Sequence, residues 1–168
     1  TLGGYVPNSA PWQPGCGGGV GWGAAMEIMP WEFYVHYGDR RVLEQNFDAM
    51  RRHVRWMTTW VDDNTGLMLS HDEQQWKNLG DWLPPRELPR KELVHTYFLW
   101  QCADITVRTA HSLGEDASEF ILIRDAAAKA FHDNLYDPAT GSYGKYGSNV
   151  LALKIGVPED RKAKVVEA

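Results

Sequence analysis

The stretch that decides the fold is WEFYVHYGDRRVLEQNFDAMRRHVRWMTTWV, residues 31–61. Past Gly38 its apolar residues fall at Leu43, Phe47, Met50, Val54, Met57 and Val61, in steps of three and four. That spacing puts them on one stripe of an α-helix spanning about Arg40 to Val61. Arg40, Arg41, Glu44, Asp48, Arg51, Arg52 and Arg55 occupy the other face, so the helix has one wet side. The segment before it reads differently. From Ala24 to Tyr37, Met26, Ile28, Met29, Trp31, Phe33, Tyr34, Val35 and Tyr37 cover nearly every direction, which predicts a helix buried all round. Pro30 predicts a kink or a late helix start, Gly38 a C-terminal stop, and Asp39 a cap for the next helix.

The same pattern returns downstream. Glu92 to Leu113 is apolar on several sides, and Gly114 ends it. Glu115 and Asp116 then open an amphipathic helix to about Leu135, with Phe120, Ile123, Ala127, Phe131 and Leu135 inward. A third copy begins near Ser148, breaks at Gly156 and restarts at Pro158-Glu159-Asp160. The turns match as well: Asp63-Asn64-Thr65-Gly66-Leu67 corresponds to Asp137-Pro138-Ala139-Thr140-Gly141-Ser142-Tyr143. Gly38 and Gly114 are 76 positions apart, and Gly66 and Gly141 are 75 apart. Two markers with nearly one spacing indicate an internal repeat of helical hairpins. Such repeats stack as an open solenoid or close into a ring. Alternation of an all-round apolar helix with a one-sided one fits two concentric layers. The expected fold is therefore all-α, an α/α toroid rather than a solenoid, of which three hairpins are visible.

Composition narrows the functional classes. A net charge of −5 spread along 168 residues disfavours a nucleic-acid surface, which concentrates Lys and Arg. No apolar run is long enough to span a bilayer. Cys16 and Cys102 are too few for a disulfide framework and lack metal-ligand spacing, so no metal or other cofactor is expected, although calcium held by loop oxygens stays open. Both ends read as cuts through a longer protein: Gly/Pro-rich sequence at 1–23, and a charged helical pattern at the other end.

Chemistry is expected in the long link 62–90 between an outer and an inner helix. It carries His71, Asp72, Glu73, Trp76, Asp81 and Trp82. Indole faces beside carboxylates suit a sugar, because rings stack on its C–H surface while carboxylates hold hydroxyls and move protons. The segment 15–23, with Trp22, leads into the first inner helix at the same end of the bundle.

A series of motifs then carries a resemblance. Gly21-Trp22-Gly23-Ala24-Ala25, Pro30-Trp31, Tyr37-Gly38-Asp39, Leu43-Glu44, Gly80-Asp81-Trp82-Leu83 and Lys91-Glu92-Leu93-Val94-His95-Thr96-Tyr97-Phe98 resemble, in order and spacing, the catalytic domain of bacterial α-L-rhamnosidases, glycoside hydrolase family 78. The resemblance implies an (α/α)6 barrel, of which this chain is about half. It also implies inverting hydrolysis of terminal α-L-rhamnosides by a carboxylic acid and a carboxylate base, the base lying beyond Ala168. It implies Asp81 on sugar hydroxyls or positioning the acid, and Trp82 on the apolar face of rhamnose. Trp22, Trp76, Glu92 and His95 are further sugar-binding candidates, the last two at i and i+3 on one helix. A bacterial source and a periplasmic or secreted location are expected on the same basis.

The departures are specific. Cys16-Gly17-Gly18-Gly19-Val20-Gly21 offers no acid where the family has one, and Ala24 stands where many relatives carry Asp. Glu27 lies one turn on, and it is the residue expected to replace the missing acid function or to hold a sugar hydroxyl. Two other readings stay open: a polysaccharide lyase or unsaturated-uronyl hydrolase on the same toroid, and a sugar-binding module without catalysis. The expected partners are a rhamnose-containing glycan and the rest of the barrel, or a second copy meeting exposed apolar edges.

Overall fold

The computed structural model describes residues 3–6, 19–69, 89–145 and 147–168. Among these residues seven helices follow in order: α1 (Val20–Gly23), α2 (Ala25–Tyr37), α3 (Arg41–Thr58), α4 (Lys91–Leu113), α5 (Ser118–Leu135), α6 (Ser148–Ile155) and α7 (Glu159–Glu167). Among the described residues the only β pairing is two isolated bridges, Val61 with Met68 and Asp137 with Ser142. The helices form three hairpins, α2–α3, α4–α5 and α6–α7, consistent with the repeat. Helix α4 is the hub and packs against α1, α2, α3, α5 and α6.

Local chemistry explains the boundaries. Gly38 and Gly114 adopt left-handed φ of 68° and 74°, which ends α2 and α4 without a Cβ penalty. The Gly38 N–H donates to Tyr34 O at 2.8 Å. The N-cap of α3 is Arg40 rather than the expected Asp39, which sits one residue earlier and accepts the Arg41 N–H on Oδ1 at 3.0 Å. Before α5, Asp116 likewise accepts the Ser118 N–H at 3.0 Å, one residue ahead of the N-cap Ala117. Pro30 sits inside a continuous α2, so the helix does not start late. Its missing N–H leaves one intrahelical bond unmade without ending the helix.

The inward stripe of α3 is buried as its spacing requires: Leu43, Phe47, Met50, Val54 and Met57, while Val61 is half-buried beyond the helix end. Phe120, Ala127, Phe131 and Leu135 of α5 are buried, with Ile123 at the margin. Two apolar clusters result. One gathers Phe47, Val54, Met57, Leu99, Ala103 and Phe120, and the other Leu93, Tyr97, Phe131, Leu135, Tyr143 and Val165; Phe98 and Trp100 pack against both.

Helix α2 departs from expectation. The sequence reads as buried all round, yet Met29, Phe33, Val35 and Tyr37 are exposed, Tyr37 by 75%. The reason is geometric: α2 lies against α1, α3 and α4 on one side, and among the described residues no element packs on the other. An all-round apolar pattern predicts partners on two sides; the described helices supply one.

The two repeated turns share their bonding, with Asp62 rather than Asp63 as the counterpart of Asp137. Gly66 N–H reaches Asp62 O at 2.7 Å, and Gly141 N–H reaches Asp137 O at 2.8 Å. Each Asp side chain accepts from the Thr hydroxyl three residues on, Thr65 at 2.8 Å and Thr140 at 2.9 Å. The glycines share a φ of 70°.

Candidate active site

One end of the bundle collects the N-termini of α2, α4 and α6 together with the C-termini of α3, α5 and α7. Two contacts tie that end together. Asn134 Nδ2 near the end of α5 donates to Thr65 O at 3.0 Å, and the Met68 N–H donates to Thr96 Oγ1 at 3.0 Å. Both repeated turns lie there, as do the boundaries of the 62–90 link.

Trp22, on α1, is 39% exposed. Gly21 beside it approaches the Phe98 ring so closely that a Cβ would lie 3.0 Å from it, which seats α1 on α4. Glu92 is half-buried in the first turn of α4 and lies 4.0 Å from the Arg90 guanidinium. His95, three residues on, has no exposed surface. The expectation that Glu92 and His95 face one open cavity is therefore corrected: one turn carries Glu92 to the rim and His95 into the core. Asp81, Trp82 and Trp76 lie outside the described residues, as do His71, Asp72 and Glu73.

Glu27 is likewise wholly buried. Its carboxylate meets His53 Nδ1 of α3 at 2.9 and 3.1 Å. The Cys102 thiol of α4 is the third member, and the ligand atoms of all three lie within 4.8 Å of one another. Burial raises the Glu27 pKa, against the opposing pull of His53. Burial also pushes the Cys102 thiol well up, and the nearby carboxyl adds to this. A raised carboxyl pKa is what a general acid needs. An acid with no accessible surface, however, reaches neither a glycosidic oxygen nor a hydroxyl, so this placement does not support contact between Glu27 and a sugar. Sequence reading missed His53 and Cys102 as its partners. They sit 26 and 75 residues away on other helices, and no local pattern links them.

A cleft of about 840 Å³ opens at the same end, lined by Arg90, Asp137, Ser142, Tyr143, Lys145 and Asn149 among others. It runs along α6 and α7 and includes none of Trp22, Glu27, Glu92 or His95. Tyr143 is fixed beneath it by a 2.7 Å hydrogen bond with His132 Nδ1.

The model of the bacterial α-L-rhamnosidase six-hairpin glycosidase domain matches residues 1–168. The chain belongs to that family. Within it, the chain is 30% identical over 131 residues to an α-L-rhamnosidase of Alteromonas sp., covering 70% of this chain and 13% of the relative. It is 32% identical over 132 residues to the Streptomyces avermitilis α-L-rhamnosidase, covering 78% of this chain and 12% of that protein. The crystal structure of the Streptomyces avermitilis α-L-rhamnosidase complexed with L-rhamnose superposes with a TM-score of 0.83 and 26% identity, over 99% of this chain and 16% of that one. The Dictyoglomus enzyme's structure, with a TM-score of 0.75 and 22% identity over 89% of this chain, shares the fold. The chain thus spans roughly an eighth of the length of the curated rhamnosidases it matches.

Proposed function

We propose that this chain is part of a glycoside hydrolase that removes terminal α-L-rhamnose from a glycan or glycoside. The observation that carries the reading is the family match across all 168 residues. The motif series from Trp22 to Phe98 supports it, as does the likeness to an enzyme solved with L-rhamnose. Inversion follows as the mechanism: an acid protonates the leaving oxygen while a carboxylate activates water on the opposite face, the two about 6.5–9.5 Å apart. This chain supplies sugar-holding groups, in this reading Trp22, Glu92, Trp76, Asp81 and Trp82. The base belongs to a part of the protein outside it. Glu27 and His95, being buried, hold helices in place and do not touch substrate.

The direct test is hydrolysis of an aryl α-L-rhamnoside by the full-length protein, with the anomer of the released sugar followed by NMR. Release of inverted rhamnose, absent from the isolated 168-residue chain, is the expected result. Asp81→Asn is expected to lower kcat/KM about 100-fold or more if its carboxylate orders the reacting ring. Turnover of another glycan in place of rhamnosides would overturn the substrate assignment.

A further inference from the structure

We infer that Glu27, His53 and Cys102 form a structural zinc site joining α2, α3 and α4. Each of the three helices contributes one ligand, and the three side chains are 0%, 1% and 0% exposed. A carboxylate oxygen, an imidazole Nδ1 and a thiol sulfur within 4.8 Å of one another are the donor types zinc selects.

Donors spread over up to 4.8 Å must close in where they are wide and open where they are tight to hold a tetrahedral ion. Zn–O and Zn–N near ~2.0–2.1 Å and Zn–S near ~2.3 Å place the donors roughly 3.3–3.6 Å apart. His53 Nδ1 and Glu27 Oε1, now 2.9 Å apart, open by a few tenths of an ångström to admit it. The fourth position is left for water or a backbone oxygen.

Charge points the same way. Among the described residues no Lys or Arg pairs with Glu27; its ion-pair partner is His53. Zn²⁺ with one carboxylate, one thiolate and a neutral imidazole sums to zero, so the loaded cluster would carry no net buried charge. The imidazole is also held in place from its other side. It stacks on Trp56 at 5.9 Å with an interplanar angle of 11°, and its Nε2 lies 3.0 Å from where a Cβ on Gly23 would be. Full burial of all three donors makes the role structural, since no substrate reaches the ion.

The test is metal content of the full-length protein purified without chelator and reconstituted with Zn²⁺, beside Cys102→Ser and His53→Ala. One zinc per chain is expected, absent from both variants. Co²⁺ substitution should produce thiolate-to-cobalt charge-transfer absorption that Cys102→Ser abolishes. A strong chelator should lower the Tm of the wild type by roughly 5 °C or more and leave Cys102→Ser unmoved. Substoichiometric zinc, or zinc retained in Cys102→Ser, overturns the site. If the variants fail to fold, the Co²⁺ spectrum of the wild type decides alone, and absence of a thiolate band rejects the proposal. None of these readouts depends on rhamnoside turnover, so the two proposals fail separately.

Discussion

At Gly23 a single missing Cβ sets the geometry of the buried cluster. A methyl there would stand 3.0 Å from His53 Nε2 and 3.3 Å from Cε1, while Trp56 on one side and Glu27 on another keep the ring from retreating. Gly23→Ala is therefore expected to destabilise the fold by about 1–3 kcal/mol, although Ala is the better helix former. A urea titration measures this, and a stabilised variant would mean that the ring moves freely. His132 supplies a second residue-scale prediction. Burial, and after it the Arg161 charge, depress its pKa below the ordinary 6.5. The unfolded chain then takes up the proton first, so stability is lost as pH falls from 6.5 through the folded value. His132→Gln should remove that loss: its Tm should fall less than that of the wild type between about pH 7 and about pH 5.

Among the elements, the repeated glycines separate two costs of a side chain. Gly66 and Gly114 both need left-handed backbone, at φ of 70° and 74°. Around Gly114 a Cβ meets nothing within 4 Å, whereas at Gly66 it would lie 3.0 Å from the Ala130 Cβ of α5. Gly114→Ala should cost only the backbone term, about 1 kcal/mol, and Gly66→Ala more, because the turn must also shift off α5. Equal values in chemical denaturation would show that the turn gives way easily. Between α3 and α5, Arg55 and Glu119 form a bidentate pair at 2.8 and 2.7 Å, with both side chains about half exposed. Solvent screening limits its worth to under about 1 kcal/mol, so the outer layer is held chiefly by the buried stripes of α3 and α5.

At the scale of the molecule, apolar faces stay bare among the described residues. Met29, Phe33 and Tyr37 recur at four-residue steps along α2, 68%, 45% and 75% exposed. Val150 and Val166 are similarly bare on the last hairpin. Inner helices of a closed ring have a neighbour on both sides, so these faces mark where further hairpins of the six would pack. Taken alone, the 168-residue chain is expected to self-associate. Replacing Met29, Phe33 and Tyr37 with Lys, Glu and Lys should shift it toward monomer in analytical ultracentrifugation. A monomeric wild-type chain at micromolar concentration would contradict the reading. No described helix is long and apolar enough to cross a membrane.

The repeat was legible because helical hairpins are local objects. Their period, their glycine stops at 38 and 114 and their Asp-x-x-Thr-Gly turns are written within a few residues of where they act. Helix type, order and the inward stripes of α3 and α5 followed from spacing alone, and the motif series from Trp22 to Phe98 pointed to the family. What the sequence could not reveal depends on which helices become neighbours. The exposure of α2, the division of Glu92 and His95 between rim and core, and the meeting of Glu27 with His53 and Cys102 are all set by packing across 26 to 75 residues. Periodicity tells which face of a helix turns inward. Only the tertiary structure decides what that face meets, and a carboxylate read as a candidate acid becomes a buried ligand when its partners arrive from two other helices.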